Sequence, residues 1–92
     1  MNFSEALNEI KAGKRVSRSG WNGKGMFIFL VNGSNFVTNR EPLLSILGEG
    51  AEVTYQPHVD MFTADGTIVP WLISQLDMMA DDWEVVSPGV RR

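Results

Sequence analysis

At 92 residues, with 43% of them hydrophobic, the chain suits one domain with a shallow core, and its lack of cysteine excludes disulfides, zinc thiolates and thiol nucleophiles. A formal net charge of −3 argues against DNA or RNA as a partner, since phosphate neutralisation dominates such affinity. The start, Met1-Asn2-Phe3-Ser4-Glu5, lacks the basic and apolar regions of a signal peptide, and no apolar run approaches the ~18–20 residues of a membrane span, so a soluble, cytosolic protein is expected.

In chain order, Phe3, Ala6, Leu7 and Ile10 fall on one face of an amphipathic helix. Asn2 is placed to cap it, Glu5 completes a capping box, and Gly13 suits the left-handed position after the last turn. A helix this short needs a sheet beneath it. Lys14 to Arg18 reads as a half-buried strand with Val16 inward. The loop Gly20-Trp21-Asn22-Gly23-Lys24-Gly25 follows, three glycines in six residues, and leads into Met26-Phe27-Ile28-Phe29-Leu30-Val31. That apolar run has the length and composition of a strand buried on both faces.

Asn32-Gly33-Ser34 is a turn signal. Residues 35–40 are a short strand or irregular chain, and Pro42 to Leu47 suits one or two helical turns closed by Gly48. Gly50 to Tyr55 has strand character. Pro57 to Thr63 alternates as a strand, and Asp65-Gly66 makes a hairpin to Thr67–Ile73. Pro70 cannot donate to a ladder, so this return strand is an edge or carries a bulge. Ser74 caps a short helix with Asp77 at the capping-box position and Leu76, Met79 and Ala80 on its buried side. Trp83 to Val86 is a last strand. The fold class expected is α+β: an N-terminal helix on a mostly antiparallel sheet of about five strands, with short extra helices.

Charge is unevenly spread. Residues 1–40 carry Lys11, Lys14, Arg15, Arg18, Lys24 and Arg40 against Glu5 and Glu9, a balance of +4, whereas residues 41–92 balance to −7. The basic part either serves a phosphorylated ligand or pairs with the acidic half, within the chain or across a subunit interface. Catalytic machinery is poorly supported: His58 is the only histidine, two residues from Asp60 on one strand face, with no nucleophile elbow or Walker loop. Asp60, Asp65, Asp77, Asp81 and Asp82 have no metal-ligand spacing, so neither metal nor cofactor is expected. Asp81-Asp82 reads as a solvated helix exit. The aromatics carry more. Trp83 is core; Trp21 on the glycine loop and Trp71 beside Pro70 are either core residues or two indole faces for a planar base. Arg18, Lys24 and the loop amides at Asn22, Gly23 and Gly25 would then meet phosphates.

Four ordered stretches, Gly20-Trp21-Asn22-Gly23-Lys24-Gly25-Met26, Tyr55-Gln56-Pro57-His58-Val59-Asp60-Met61, Thr63-Ala64-Asp65-Gly66 and Ser74-Gln75-x-Asp77-x-x-Ala80-x-Asp82-Trp83, resemble the phage Thoeris anti-defence two family from Asn2 to about Val86. The resemblance implies a non-enzymatic protein of the infected host cytosol that binds and sequesters cyclic nucleotide immune signals. These are cyclic ADP-ribose isomers such as glyco-cyclic ADP-ribose, and in some members cyclic di- or oligonucleotides. It further implies a homo-oligomer, a tetramer, with pockets between subunits, and a single ligand-binding domain over residues 1–86 followed by a flexible tail over 87–92. Carried onto this sequence, it points to Trp21 and Trp71 for stacking, Asn22 and Gly23 as donors, Arg18 and Lys24 as cations, and Ser74 and Gln75 at a helix start. Asn32 departs from the proline that the family pattern leads one to expect before the Gly-Ser turn. Two rivals are a protein–protein module directed at a host protein and a slow cyclic nucleotide hydrolase using His58 and Asp60.

Overall fold

The computed structural model describes residues 1–87, so all of the expected tail except Ser87 lies outside the described residues. The first helix, α1 (Phe3–Lys11), begins as its sequence dictates. The Asn2 side chain accepts from the Glu5 N–H at 2.9 Å, and the Glu5 carboxylate accepts from the Asn2 N–H at 3.0 Å, which satisfies two otherwise orphaned donors. Gly13, with φ +90°, turns the chain after the Ala12 cap.

The helix lies on a five-stranded antiparallel sheet built from β1 (Val16–Arg18), β2 (Phe27–Val31), β5 (His58–Phe62), β6 (Ile68–Pro70) and β7 (Trp83–Val85), in the order β6-β5-β2-β1-β7. Residues 34–55 form a separate unit of β3 (Ser34–Val37), α2 (Leu43–Leu47) and β4 (Glu52–Tyr55), with β3 and β4 paired as a two-stranded ribbon. The last helix, α3 (Gln75–Met78), is a single turn before β7. The α+β class with an N-terminal helix is therefore as expected.

The long register is β2 on β5, running from Phe27↔Phe62 to Val31↔His58. Because side chains alternate, Ile28, Leu30, Val59 and Met61 share the α1 face with Val16. Ala6, Ile10, Val16, Ile28 and Trp83 form the fully buried apolar core, with Phe3, Trp21 and Trp71 packed around it. Among the described residues, no helix lies over the opposite face, which bears Phe27, Phe29, Asp60 and Phe62. This corrects the reading of β2 as buried on both faces: of its five residues only Ile28 is fully buried.

The hairpin at Asp65-Gly66 joins β5 to β6 as expected, with Gly66 at φ +87°. Pro70 needs no bulge. The Trp71 N–H donates to Val59 O and the Thr63 N–H to Thr67 O, so the odd-numbered residues of this outer strand bond to β5 and Pro70 falls between them. Asn32-Gly33, by contrast, is no hairpin turn: its flanking strands pair elsewhere, and it passes the chain from one sheet to the other. A Cβ at Gly33 would collide with the Tyr55 carbonyl oxygen and sit 3.2 Å from Pro57 Cδ, so only glycine fits this crossing.

Candidate functional site

The glycine loop connects β1 to β2 and is held from below by one cation. Arg18, the last residue of β1, donates from Nη1 to Asp77 Oδ1 at 2.7 Å and from Nε to Asp82 Oδ1 at 2.6 Å. Asp82 Oδ2 also takes the Gly20 N–H at 2.8 Å. Asp77 Oδ1 takes the Trp21 indole N–H at 3.0 Å, and the Asp77 carbonyl takes that of Trp83 at 2.9 Å. Two carboxylates from the end of the chain thus fix both the loop and its tryptophan. The ordinary pairing rules set the electrostatics. Hydrogen bonds to Asp82 and then Asp77 raise Arg18, already a strong base. Asp82 is lowered chiefly by Arg18. At Asp77, burial works to raise the carboxyl but is outweighed by hydrogen bonds from Trp21 and Arg18, so it too lies below the usual range.

Sequence reasoning missed both acids. Asp77 does not close a capping box; its N–H is bonded to Ser74 Oγ at 3.0 Å while its carboxylate serves Arg18 and Trp21. Asp82 is an ion-pair partner rather than a solvated helix exit. The signal available was charge: a basic first part and an acidic second part, of which this cluster is the pairing within the chain.

The two candidate tryptophans do meet at one centre. Trp21 packs edge-on against Trp83 with centroids 5.3 Å apart, and Trp71 does the same from another side at 6.2 Å. Phe3 touches both Trp71, at 6.2 Å, and Trp83, at 5.2 Å. Trp21 and Trp71 are each half-buried, so they contribute to the core and also present part of their rings outward. The segment between Trp71 and Trp83 also carries apolar side chains that are unexpectedly exposed. Leu72 is 90% exposed, Leu76 83% and Met79 76%, which corrects the placement of Leu76 and Met79 on a buried helix side. Helix α3 is one turn long, and only Ala80 beyond it turns inward.

The remaining candidates divide. Arg18 has two carboxylates on it. The Ser74 hydroxyl is used by the Asp77 N–H, and Gln75 is an exposed first residue of α3. Asn22 and Lys24 are exposed on the loop, and Lys24 has no carboxylate within ion-pair distance among the described residues. The Asn22 and Gly23 N–H groups make no hydrogen bond among the described residues. Gly23 also has a packing reason to be glycine: a Cβ there would overlap the Met26 side chain and lie 3.1 Å from Ala64 Cβ.

His58 and Asp60 stand elsewhere. Their Nε2–Oδ1 separation is 3.5 Å, and His58 Nδ1 lies 3.0 Å from Gln56 O. Both residues belong to the sheet face opposite the tryptophans. Among the described residues, no group of three or more His, Cys, Asp or Glu side chains is arranged to hold a metal ion. Nor, among the described residues, is any helix long and apolar enough to cross a membrane.

A family model described as the Thoeris anti-defense 2-like domain matches residues 1–86. The chain is also similar to a protein of Bacillus phage SP01 named Thoeris anti-defense 2, being 40% identical over 92 residues that cover 95% of this chain and 96% of that one. Both matches take in the glycine loop, the ribbon and the α3–β7 segment.

Proposed function

The chain belongs to the Thoeris anti-defence 2 family and so has an anti-defence role; from that premise we propose that it works as a sponge, capturing a cyclic nucleotide immune signal without cleaving it. The ligand class is a cyclic ADP-ribose isomer, with cyclic di- or oligonucleotides as the related alternative. Binding of one molecule per pocket in the host cytosol withholds the activator from the defence effector.

The observation that carries this reading is the half-buried pair Trp21 and Trp71 braced on Trp83, with the glycine loop beside it. An adenine needs a flat apolar face, and an indole held by Asp77 offers one at little entropic cost, because its rotamer is already fixed. A pyrophosphate needs donors and positive charge. The Asn22 and Gly23 N–H groups and Lys24, none of them paired among the described residues, supply these, while Arg18 acts by holding Trp21 and the loop in place. Leu72, Leu76 and Met79 are exposed in the segment that leads from Trp71 to Trp83 and would serve as a rim to that surface. Packing that rim against a second copy would enclose the ligand and bury the rim, in keeping with a homotetramer with pockets between subunits.

A hydrolase working through His58 and Asp60 fits less well, since a ligand on the tryptophans would lie across the sheet from them. The test is calorimetric titration of the purified protein with cyclic ADP-ribose isomers and cyclic dinucleotides, followed by heating and identification of what is released. Binding of one class with intact release is expected, weakened at least tenfold by Trp21→Ala or Trp71→Ala. Altered ligand would establish cleavage instead. Absence of binding to every compound would remove the sponge and favour a protein partner on the same apolar rim.

A further inference from the structure

Three dipeptides in the chain, Asn22-Gly23, Asn32-Gly33 and Asp65-Gly66, set a side-chain carbonyl beside the backbone nitrogen of a following glycine. Attack of that nitrogen on the carbonyl closes a five-membered succinimide. Glycine has no Cβ to shield its nitrogen and bends freely into the ring, so the reaction is fastest before it. In a folded chain the outcome depends on whether the nitrogen and the side chain are free to meet. The three sites differ in this.

At Asp65-Gly66 both partners are engaged. The Gly66 N–H donates to Thr63 O at 3.0 Å, and the Asp65 carboxylate accepts from the Thr63 and Thr67 hydroxyls. Those bonds, Thr63 first, hold Asp65 below the usual carboxylate range, and an ionised carboxylate offers the attack no leaving group. At Asn32-Gly33 the backbone has no room to change. Even a Cβ at Gly33 would collide with the Tyr55 carbonyl oxygen and crowd the Pro57 ring, so the crossing resists a ring fused to the Gly33 nitrogen. Asn22-Gly23 has neither restraint. Asn22 is exposed, and the Gly23 N–H makes no hydrogen bond among the described residues. The atoms nearest a Cβ at Gly23 are side-chain atoms of Met26 and Ala64, the former flexible.

We propose that Asn22 is a self-modification site, at which the folded glycine loop converts its own asparagine to aspartate and isoaspartate. The reaction consumes water and nothing is oxidised or reduced. A base removes the Gly23 amide proton, and the nitrogen's electron pair forms a bond to Asn22 Cγ. The Cγ–Nδ2 bond then breaks, and Nδ2 takes a proton from solvent and leaves as ammonia. Water opens the succinimide at either carbonyl. Breaking the bond from Cγ to the Gly23 nitrogen restores the backbone with an aspartate side chain. Breaking the bond from the Asn22 backbone carbon leaves the chain running through Cγ, an isoaspartate with one more backbone carbon. Both products place a carboxylate at position 22. Arg18 and Lys24 balance Asp77 and Asp82 in the loop and the cluster beneath it, and the added charge tips that balance negative. The isoaspartate also lengthens the chain between Trp21 and Gly23. The consequence for function rests on the ligand reading above: a loop that meets phosphate with neutral donors and a cation becomes one that repels it, which gives the site a limited working life.

Tryptic cleavage after Arg18, Lys24 and Arg40 puts Asn22, Asn32 and Asp65 on separate peptides, so each site can be followed in the natural chain. The purified protein, without ligand, is held at mildly alkaline pH and body temperature for several days and sampled at intervals. Mass spectrometry reads replacement of an amide by a carboxyl, and labelling by an isoaspartyl methyltransferase reads the isomer. Conversion at Asn22 is expected to run at least tenfold ahead of Asn32, with the Asp65 peptide unlabelled. In guanidinium chloride the two asparagines, each followed by glycine, are expected to convert at comparable rates. An Asn22 that stays intact, an Asn32 that keeps pace with it in the folded chain, or the same preference in the unfolded chain overturns the proposal. Titration with the cyclic nucleotide panel separates the consequence for function from the ligand reading. If fresh protein binds, ageing and Asn22→Asp are each expected to weaken binding at least tenfold; an Asn22→Asp variant that binds as well as the natural chain overturns the limited working life. Fresh protein that binds nothing overturns the ligand reading, and the conversion at Asn22 is still decided by mass.

Discussion

The site is governed by residues whose partners lie far away in sequence. Asn2 and Glu5 were legible because a capping box is a local pattern, and both reciprocal bonds form. Asp77 was legible only in part. Its spacing from Ser74 pointed to a cap, but its carboxylate is claimed by Arg18, 59 residues away, and by Trp21, 56 away. No spacing rule reaches that far. The cluster has a consequence for pH. Asp77 and Asp82 are held below the ordinary carboxylate range, so the stability they confer is complete above about pH 4, the unfolded value, and drains away as pH falls through their lower folded values. The stabilisation from Arg18 has the opposite sign, present below its ordinary value and lost only at extreme alkalinity. Urea midpoints between pH 6 and pH 2 should therefore fall steeply for the natural chain and less steeply for Asp82→Asn, which starts lower and has one fewer such carboxyl to protonate. Parallel curves would show that the Arg18 cluster does not set the acid limit.

Elements were read well where their signals are self-contained. The alternation over His58–Phe62, the Asp65-Gly66 turn and the edge position of Pro70 each follow from local chemistry. Two elements were misjudged because burial is decided by what packs on them. Strand β2 has the apolar run of a doubly covered strand, but α1 lies on one face only. Leu76 and Met79 have helical spacing, but a one-turn helix has too little length to present a buried side. The glycines at the element junctions make a graded prediction. Gly23→Ala meets the flexible end of Met26, which can swing away, so a cost of about 1 kcal/mol is expected, partly relieved by Met26→Ala. Gly33→Ala meets the Tyr55 backbone and the Pro57 ring, neither of which can yield, so about 3 kcal/mol is expected. Thermal unfolding of the three variants checks the order; equal losses would mean that the arm junction is not as tight as its geometry requires.

At the scale of the whole molecule, the class was legible and the division was not. Helix-on-sheet follows from an amphipathic start and a series of strand signals, but β2 pairs with β5 across the entire arm, and Asn32-Gly33 looks like a hairpin turn although its strands never meet. Consecutive strands usually pair, and here the chain leaves one sheet, makes a ribbon and comes back. That division predicts two levels of stability in one chain. The amides of β2 and β5 lie in the middle of the five-stranded sheet beside the buried Ile28 and Val16, so their exchange with solvent requires global unfolding. The amides of β3 and β4 are bonded only to each other, above no core of their own. Hydrogen exchange on a dilute sample should therefore show the ribbon opening at a cost well below that of the main sheet. Ribbon protection equal to that of the main sheet would show that the arm opens only with the whole chain, in spite of its exposed Phe36, Val37 and Ile46.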